Sequence, residues 1–145
     1  MNPKDWTLLV IAARNGKPLQ PVQLQKSLFL LGRNLSVHQL QVESFYQFEP
    51  YDYGPFCSQV YSDAESLCFE GFVHIDCPIS LSYRFYSATG EGIAKANELK
   101  KILSPETRDY LEKIVEWTSA LSFNDLVSAI YSAYPDMKEN SIFKE

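Results

Sequence analysis

Apolar residues recur along most of the chain at three- and four-residue spacing, which is the period of an α-helix with one buried face. This pattern predicts six helices. Each begins at a capping residue or a proline, and the predicted starts are Asn2-Pro3, Pro21, Ser58, Thr89, Ser104-Pro105 and Ser122. Residues 36–44 are compatible with either a short helix or a loop.

The remaining segments have the character of extended chain. Residues 45–51 are aromatic and contain a proline, and Tyr53-Gly54-Pro55 then predicts a turn because glycine permits positive φ and proline fixes the next φ. Apolar residues in Phe72–Ile75 and Tyr83–Tyr86 predict two strands joined across Cys77–Ser82.

The order helix, two-stranded wing, helix is typical of a winged helix-turn-helix domain. We therefore expect an α+β fold, mostly α, with a winged-helix domain over residues 1–103. Residues 104–145 are expected to form a C-terminal helical extension of the same compact unit.

Length and composition indicate one compact domain with a substantial core. The chain has 145 residues, of which 46% are hydrophobic and 14% aromatic, so disorder is not expected. The sequence has neither a membrane span nor a signal peptide, which predicts a cytoplasmic protein. The three cysteines, Cys57, Cys68 and Cys77, are an odd number without metal-site spacing. Reduced, structural cysteines and no bound metal are expected.

Charge is unevenly distributed along the chain. The net charge is −5, and residues 45–92 carry one arginine against seven carboxylates. The helix predicted from Ser58, which would read DNA in a winged helix, contains no basic residue, whereas duplex DNA is bound largely through Lys and Arg. A partner protein with a basic surface suits that helix better. Any nucleic-acid contact is expected from four basic residues of the N-terminal region: Arg14, Lys17, Lys26 and Arg33.

No residue pattern indicates catalysis. Thr89-Gly90-Glu91-Gly92 lacks the lysine of a phosphate-binding loop, and His38 and His74 stand without a surrounding motif. Paired carboxylates fall on predicted exposed helix faces rather than in a cleft. We expect no enzymatic activity and no cofactor.

The aromatic cluster of residues 45–56 is the most unusual concentration in the sequence. Its rings could form core under the helices, or some could be exposed as a docking surface, because Tyr and Phe are enriched at interface centres. The predicted partner contacts combine aromatic area with polar and acidic groups, and they are Tyr53, Phe56, Gln59, Asp63 and Glu65.

Four short motifs carry a resemblance to a known family. Leu24-Gln25-Lys26, Phe29-Leu30-Leu31, Tyr53-Gly54-Pro55 and Val60-Tyr61 together resemble the SocA-like antitoxin group, also called the Panacea domain, or a closely related winged-helix family. The resemblance covers about residues 8–100. It implies a cytosolic, non-enzymatic antitoxin or adaptor that binds a toxin protein, in some cases delivering it to a protease.

Two hypotheses of function follow. The first is a protein-interaction module of this antitoxin type, which binds its partner through the region Tyr53–Glu70. The alternative is a winged-helix DNA-binding transcriptional regulator, in which a homodimer formed through Tyr110–Tyr134 would supply a second half-site.

Overall fold

The computed structural model describes residues 1–81 and 83–144. These residues form seven α-helices: α1 (Pro3–Ala12), α2 (Pro21–Asn34), α3 (Val37–Leu40), α4 (Ser58–Phe69), α5 (Gly90–Lys100), α6 (Pro105–Ala120) and α7 (Phe123–Ala133). A short 3-10 helix, Pro135–Lys138, follows α7. With two small sheets, the architecture is α+β and mostly helical, which confirms the predicted class.

Most helix starts lie where the sequence predicts them. The side chains of Asn2, Thr89, Ser104 and Ser122 each accept a hydrogen bond from a backbone N–H in the first turn of the helix that follows. The uncertain segment 36–44 contains the short helix α3, whose cap is Ser36. Local capping chemistry is therefore a reliable guide in this chain.

Two antiparallel hairpins complete the fold. One pairs β3 (Val73–Asp76) with β4 (Phe85–Ala88), so two strands form as predicted, displaced by one and two residues toward the C-terminus. The predicted tip, Cys77–Ser82, includes Ser82, which lies outside the described residues. The other hairpin pairs β1 (Glu49–Tyr51) with β2 (Gly54–Phe56).

The β1–β2 hairpin corrects the predicted turn. The chain reverses at Asp52 and Tyr53, so that Gly54 and Pro55 begin the return strand instead of forming the turn. Gly54 has φ +103°, which closes the reversal at a value that other residues rarely adopt. Pro55 pairs opposite Pro50, and a two-stranded ribbon tolerates prolines because each strand is an edge.

Helix α2 lies at the centre of the molecule. It contacts α1, α6, α7 and β2, and its side chains are buried continuously from Gln23 to Leu31. Lys26, which the sequence offers as a possible nucleic-acid contact, is instead buried, because the C-terminal helices and β2 cover its side of α2. Polar groups there are paired internally; for example, the hydroxyls of Ser27 and Thr118 lie 2.7 Å apart.

Helix α6 shares the main core with the N-terminal helices, since its Leu111 and Val115 are buried in the same cluster as Trp6 of α1 and Leu28 of α2. Leu126 and Ile130 of α7 pack in a second cluster with Phe29 and Leu30 of α2. These apolar residues, which lie in the segment predicted to form a homodimer, thus have partners within the chain. Among the described residues, no helix has the length and apolar character needed to cross a membrane.

Helix α5 begins against the backbone of Phe72, the residue just before β3, and this contact requires glycine. A Cβ built on Gly92 would lie 1.9 Å from the carbonyl oxygen of Phe72, which also accepts the Thr89 N–H at 3.0 Å. Gly90, two residues earlier, has no neighbouring atom within 4 Å of the place that a Cβ would take.

We predict that Gly92→Ala lowers the free energy of unfolding by about 1–3 kcal/mol or more, because a backbone carbonyl cannot move aside as a side chain would. The matched control Gly90→Ala should leave it unchanged or raise it by up to about 1 kcal/mol. Urea denaturation of both variants tests this, and equal effects would contradict the assigned contact.

Candidate functional site

A cavity of about 700 Å³ lies between the β1–β2 hairpin, α2 and the start of α7, and we call it the aromatic pocket. Its lining includes six aromatic side chains: Tyr51, Tyr53, Phe56, Tyr61, Tyr83 and Phe123. Gln25 and Lys26 contribute polar groups from α2, and Asp52 contributes a carboxylate from the hairpin turn. The pocket therefore combines a mostly aromatic wall with a few polar groups, as is common in binding sites.

Five of the six rings of the pocket form two rows of aromatic contacts. In one row Tyr51 stacks on Phe56 with centroids 5.0 Å apart, and Phe56 meets Tyr61 edge-on at 5.7 Å. In the other row Tyr53 meets Phe123 edge-on at 5.1 Å. Tyr51 and Tyr53 remain 53% and 42% exposed, so the pocket presents aromatic surface to solvent. Such partly exposed rings are well suited to an interface centre.

Gln25 anchors the hairpin to α2. Its side-chain amide donates to the carbonyl oxygen of Cys57 at 2.9 Å and accepts from the Cys57 N–H at 3.0 Å. The amide therefore pairs with this backbone unit as a neighbouring strand would. Cys57 is also the N-cap of α4, so one glutamine fixes the junction between β2 and α4.

Lys26 lies at the floor of the aromatic pocket. The residue is only 4% exposed, and its ammonium donates a hydrogen bond to the carbonyl oxygen of Pro55 at 3.1 Å. Burial lowers the pKa of Lys26 from its ordinary value of 10.5 to about 7, because the apolar surroundings disfavour the charged form. Gly54 adjoins this side chain, and a Cβ there would meet the Lys26 Cε at an ordinary contact distance of 3.6 Å.

A second cavity, of about 550 Å³, opens between the N-terminus of α1 and α4. The buried Tyr46 hydroxyl lies at its edge, 2.7 Å from the hydroxyl of Thr7, and donates to Asp63 Oδ2 at 2.5 Å. Gln59 donates to the other oxygen of Asp63 at 2.9 Å. Burial and the hydrogen bond to Asp63 raise the pKa of the Tyr46 phenol well above its usual range.

The structure does not bring the five predicted partner contacts together. Tyr53 and Phe56 line the aromatic pocket, whereas Gln59 and Asp63 line the second cavity. Glu65 lies elsewhere on α4 and forms an ion pair with Arg84 at 2.8 Å. The carboxylates of Asp63 and Glu65 are therefore engaged within the chain.

The four predicted nucleic-acid contacts are also dispersed. Lys26 is buried, which removes it from any surface that a duplex could touch. Arg33 pairs with Asp136 at 3.0 Å, and Arg14 donates to Ser119 at 3.3 Å. Lys17 lies in the exposed turn after α1.

Sequence reasoning missed Phe123, Tyr61 and Tyr83 as parts of the same site as Tyr53. The sequence pattern assigns Tyr61 to the buried face of α4 and Phe123 to a helix cap, and no local pattern joins residues so far apart in the chain. The sequence also did not predict the pairing of Gln25 with Cys57, although Gln25 belongs to the Leu24-Gln25-Lys26 motif.

Metal chemistry has no support from the arrangement of side chains. Cys57, Cys68 and Cys77 are free thiols. Within residues 1–81 and 83–144, no cluster of three or more His, Cys, Asp or Glu side chains is placed to hold a metal ion.

The buried Lys26 predicts a pH-dependent stability. Its pKa is about 7 in the folded chain and about 10.4 when unfolded, so the unfolded chain binds more protons between these values. Folding stability therefore rises with pH through this window. We expect wild type to gain free energy of unfolding relative to Lys26→Met between pH 7 and pH 9.5, by at most about 1.4 kcal/mol per pH unit.

Urea denaturation of the two proteins at several pH values measures this difference. Lys17→Met, at an exposed position, is the matched control and should show no such trend. A constant difference between wild type and Lys26→Met would contradict the lowered pKa.

We also predict that Gln25→Met destabilises the protein by about 1–3 kcal/mol, because in a half-buried position the Cys57 N–H loses its acceptor and the Cys57 carbonyl oxygen keeps only the Val60 N–H. Gln47→Met, at an exposed position, is the control and should change the free energy of unfolding by less than about 0.5 kcal/mol. Thermal and urea denaturation compare the two variants. Equal losses would show that the paired amide has no special role.

The comparison with known proteins leaves the site to be interpreted from its own geometry. No protein-family model matches the chain, and no curated protein and no solved structure is significantly similar to it. The likeness to SocA-like antitoxins consequently depends on the short motifs alone, of which Leu24-Gln25-Lys26 and Tyr53-Gly54-Pro55 both contribute to the aromatic pocket.

Proposed function

We propose that this protein is a non-enzymatic binding module of SocA-like antitoxin type that holds a segment of a partner protein in the aromatic pocket. The observation that carries the proposal is the convergence of six aromatic side chains around a cavity of about 700 Å³. Buried aromatic anchors supply most of the energy at protein interfaces, and a pocket that already exists lowers the cost of binding.

The motifs of the resemblance support the same site. Leu24 is fully buried in the core, Gln25 holds the start of α4, and Lys26 forms the floor of the pocket. Gly54 and Pro55 form the strand above that floor. Three of the four motifs thus contribute lining residues to the pocket, namely Gln25, Lys26, Tyr53, Gly54 and Tyr61, whereas Phe29-Leu30-Leu31 lies in the core.

The acidic face of α4 contributes less than the sequence suggests. Asp63 accepts hydrogen bonds from Tyr46 and Gln59, and Glu65 pairs with Arg84. A basic partner would have to compete with these contacts. We therefore assign α4 a secondary role, in which its carboxylates steer a partner with a basic surface toward the adjoining pocket.

A winged-helix DNA-binding regulator is the second candidate. The β3–β4 hairpin between α4 and α5 favours it, because that order corresponds to a wing beside a reading helix. The dispersal of Arg14, Lys26 and Arg33 speaks against it, since phosphate contacts require exposed cations on one surface.

We predict that affinity capture with the tagged protein, from the cells that encode it, recovers a stoichiometric protein that persists after nuclease treatment. Tyr53→Ser should reduce this recovery by about 30-fold or more, as expected for the loss of a central aromatic anchor. Phe69→Ser is the matched control, because Phe69 is 94% exposed and lies away from the pocket lining.

The remaining outcomes separate the hypotheses. A partner lost with Asp63→Lys plus Glu65→Lys but retained with Tyr53→Ser would move the interface to α4. Recovery that disappears entirely with nuclease would overturn the binding-module proposal and favour the DNA-binding regulator. Equal losses with Tyr53→Ser and Phe69→Ser would show that the pocket is not the interface.

A further inference from the structure

The floor of the aromatic pocket holds a buried amine, Lys26, that forms no direct ion pair with the described residues. The ammonium of Lys26 has three N–H donors, and the structure gives it one acceptor, the Pro55 carbonyl oxygen at 3.1 Å. In the part of the chain that the structure describes, no carboxylate forms an ion pair with Lys26. An unpaired buried ammonium is costly, and it would be stabilised by an anion brought into the pocket.

We propose that this floor is an anion subsite that receives the C-terminal carboxylate of a partner polypeptide whose last residue is aromatic. The inference rests on the proposed function and specifies the chemistry of the segment bound. A carboxylate would accept the free N–H donors of Lys26 in charge-assisted hydrogen bonds, which are strong where water is excluded.

The walls of the pocket define the group that accompanies the carboxylate. Tyr51, Phe56 and Tyr61 form one continuous row of rings above α2, and Tyr53 with Phe123 forms the other. A ring that enters the pocket would meet this aromatic lining, where stacked and edge-on contacts are the favoured arrangements. An aromatic side chain is thus the natural neighbour of the charge.

The position of Lys26 favours a chain end over an internal acidic residue. Lys26 is almost wholly covered, and the pocket is bounded by the hairpin turn, the first turn of α2, Tyr83 and the start of α7. A terminus carries its carboxylate directly beside its last side chain, so a chain end can place both groups in the pocket without the chain continuing past the covered lysine.

Asp52 adds a selectivity element at the same pocket. It lines the pocket from the hairpin turn, and its carboxylate repels a second negative charge. The site therefore suits a single terminal carboxylate that is not preceded by acidic side chains. Replacing Asp52 with asparagine should strengthen the binding of an anionic peptide.

The test uses the intact protein and two synthetic peptides, acetyl-Gly-Ser-Gly-Ser-Phe with a free carboxylate and the same peptide with a C-terminal amide. NMR titration should show the acid binding at least tenfold more tightly than the amide, with shifts at Gly54, Tyr61 and Phe123. Asp52→Asn should tighten binding of the acid, and Lys26→Met should abolish the preference. Lys17→Met should leave it unchanged. If Lys26→Met does not fold, the acid and amide comparison on wild type decides alone.

Several results would overturn the subsite. Equal binding of acid and amide would refute it while leaving the binding module intact. If an amidated peptide with an aspartate before its phenylalanine binds as tightly as the peptide acid, the proposal that the pocket receives a chain end is refuted. If acetyl-phenylalanine alone binds as tightly as the peptide acid, the proposal that the carboxylate belongs to a polypeptide is refuted. If neither peptide binds, the subsite fails, and the proposed function fails with it only if partner capture is also insensitive to Tyr53→Ser.

Discussion

The fold depends on a central helix whose middle has no solvated side. Helix α2 is covered by α1, by the two C-terminal helices and by β2, so each polar group on its buried stretch must find a partner inside the protein. Ser27 pairs with Thr118 on α6, and Gln25 pairs with the backbone of Cys57. These contacts determine where the neighbouring elements can lie, because an amide or hydroxyl without its partner costs more than an apolar contact gains.

The same constraint positions the candidate site. Gln25 and Lys26 are consecutive on α2, and they hold neighbouring parts of the opposite segment, Cys57 and Pro55. The β1–β2 hairpin is consequently clamped at its second strand, while its turn at Asp52 and Tyr53 projects from the core. Ile142 N–H also donates to the Asp52 carbonyl oxygen at 2.9 Å, so the C-terminal segment supports the turn from its other side. An aromatic turn held at both sides is a rigid rim, and rigidity reduces the entropy lost on binding.

The sequence predicts local features of this chain well and long-range ones poorly. Asn2, Thr89 and Ser122 cap their helices as expected, because capping depends on residues three positions apart. The burial of Gln25 and Lys26 was not predictable, since it follows from packing by elements far along the chain. The β1–β2 hairpin was missed for a different reason: Gly54-Pro55 is a strong turn signal locally, and only the pairing with Pro50 and Tyr51 makes it a strand. The aromatic character of the site was visible, whereas its division between two cavities required the fold.

The acidic side chains of α4 are paired within the chain, whereas the buried Lys26 has no ion pair among the described residues. The carboxylates of α4 and its C-terminal end make this part of the sequence acidic, but each has a partner within the chain. Glu65 pairs with Arg84, Glu70 pairs with Lys4, and Asp63 accepts a hydrogen bond from Tyr46. Lys26, which the sequence suggests is an ordinary surface lysine, is instead a buried cation for which the described part of the chain supplies no ion pair. An apolar residue of similar length would fill the same space without the cost of desolvating an ammonium. A single hydrogen bond to Pro55 offsets only part of that cost. If an anion enters the pocket as proposed, it would restore part of the stability that burial of this amine costs, so the group that weakens the empty fold would strengthen the occupied one.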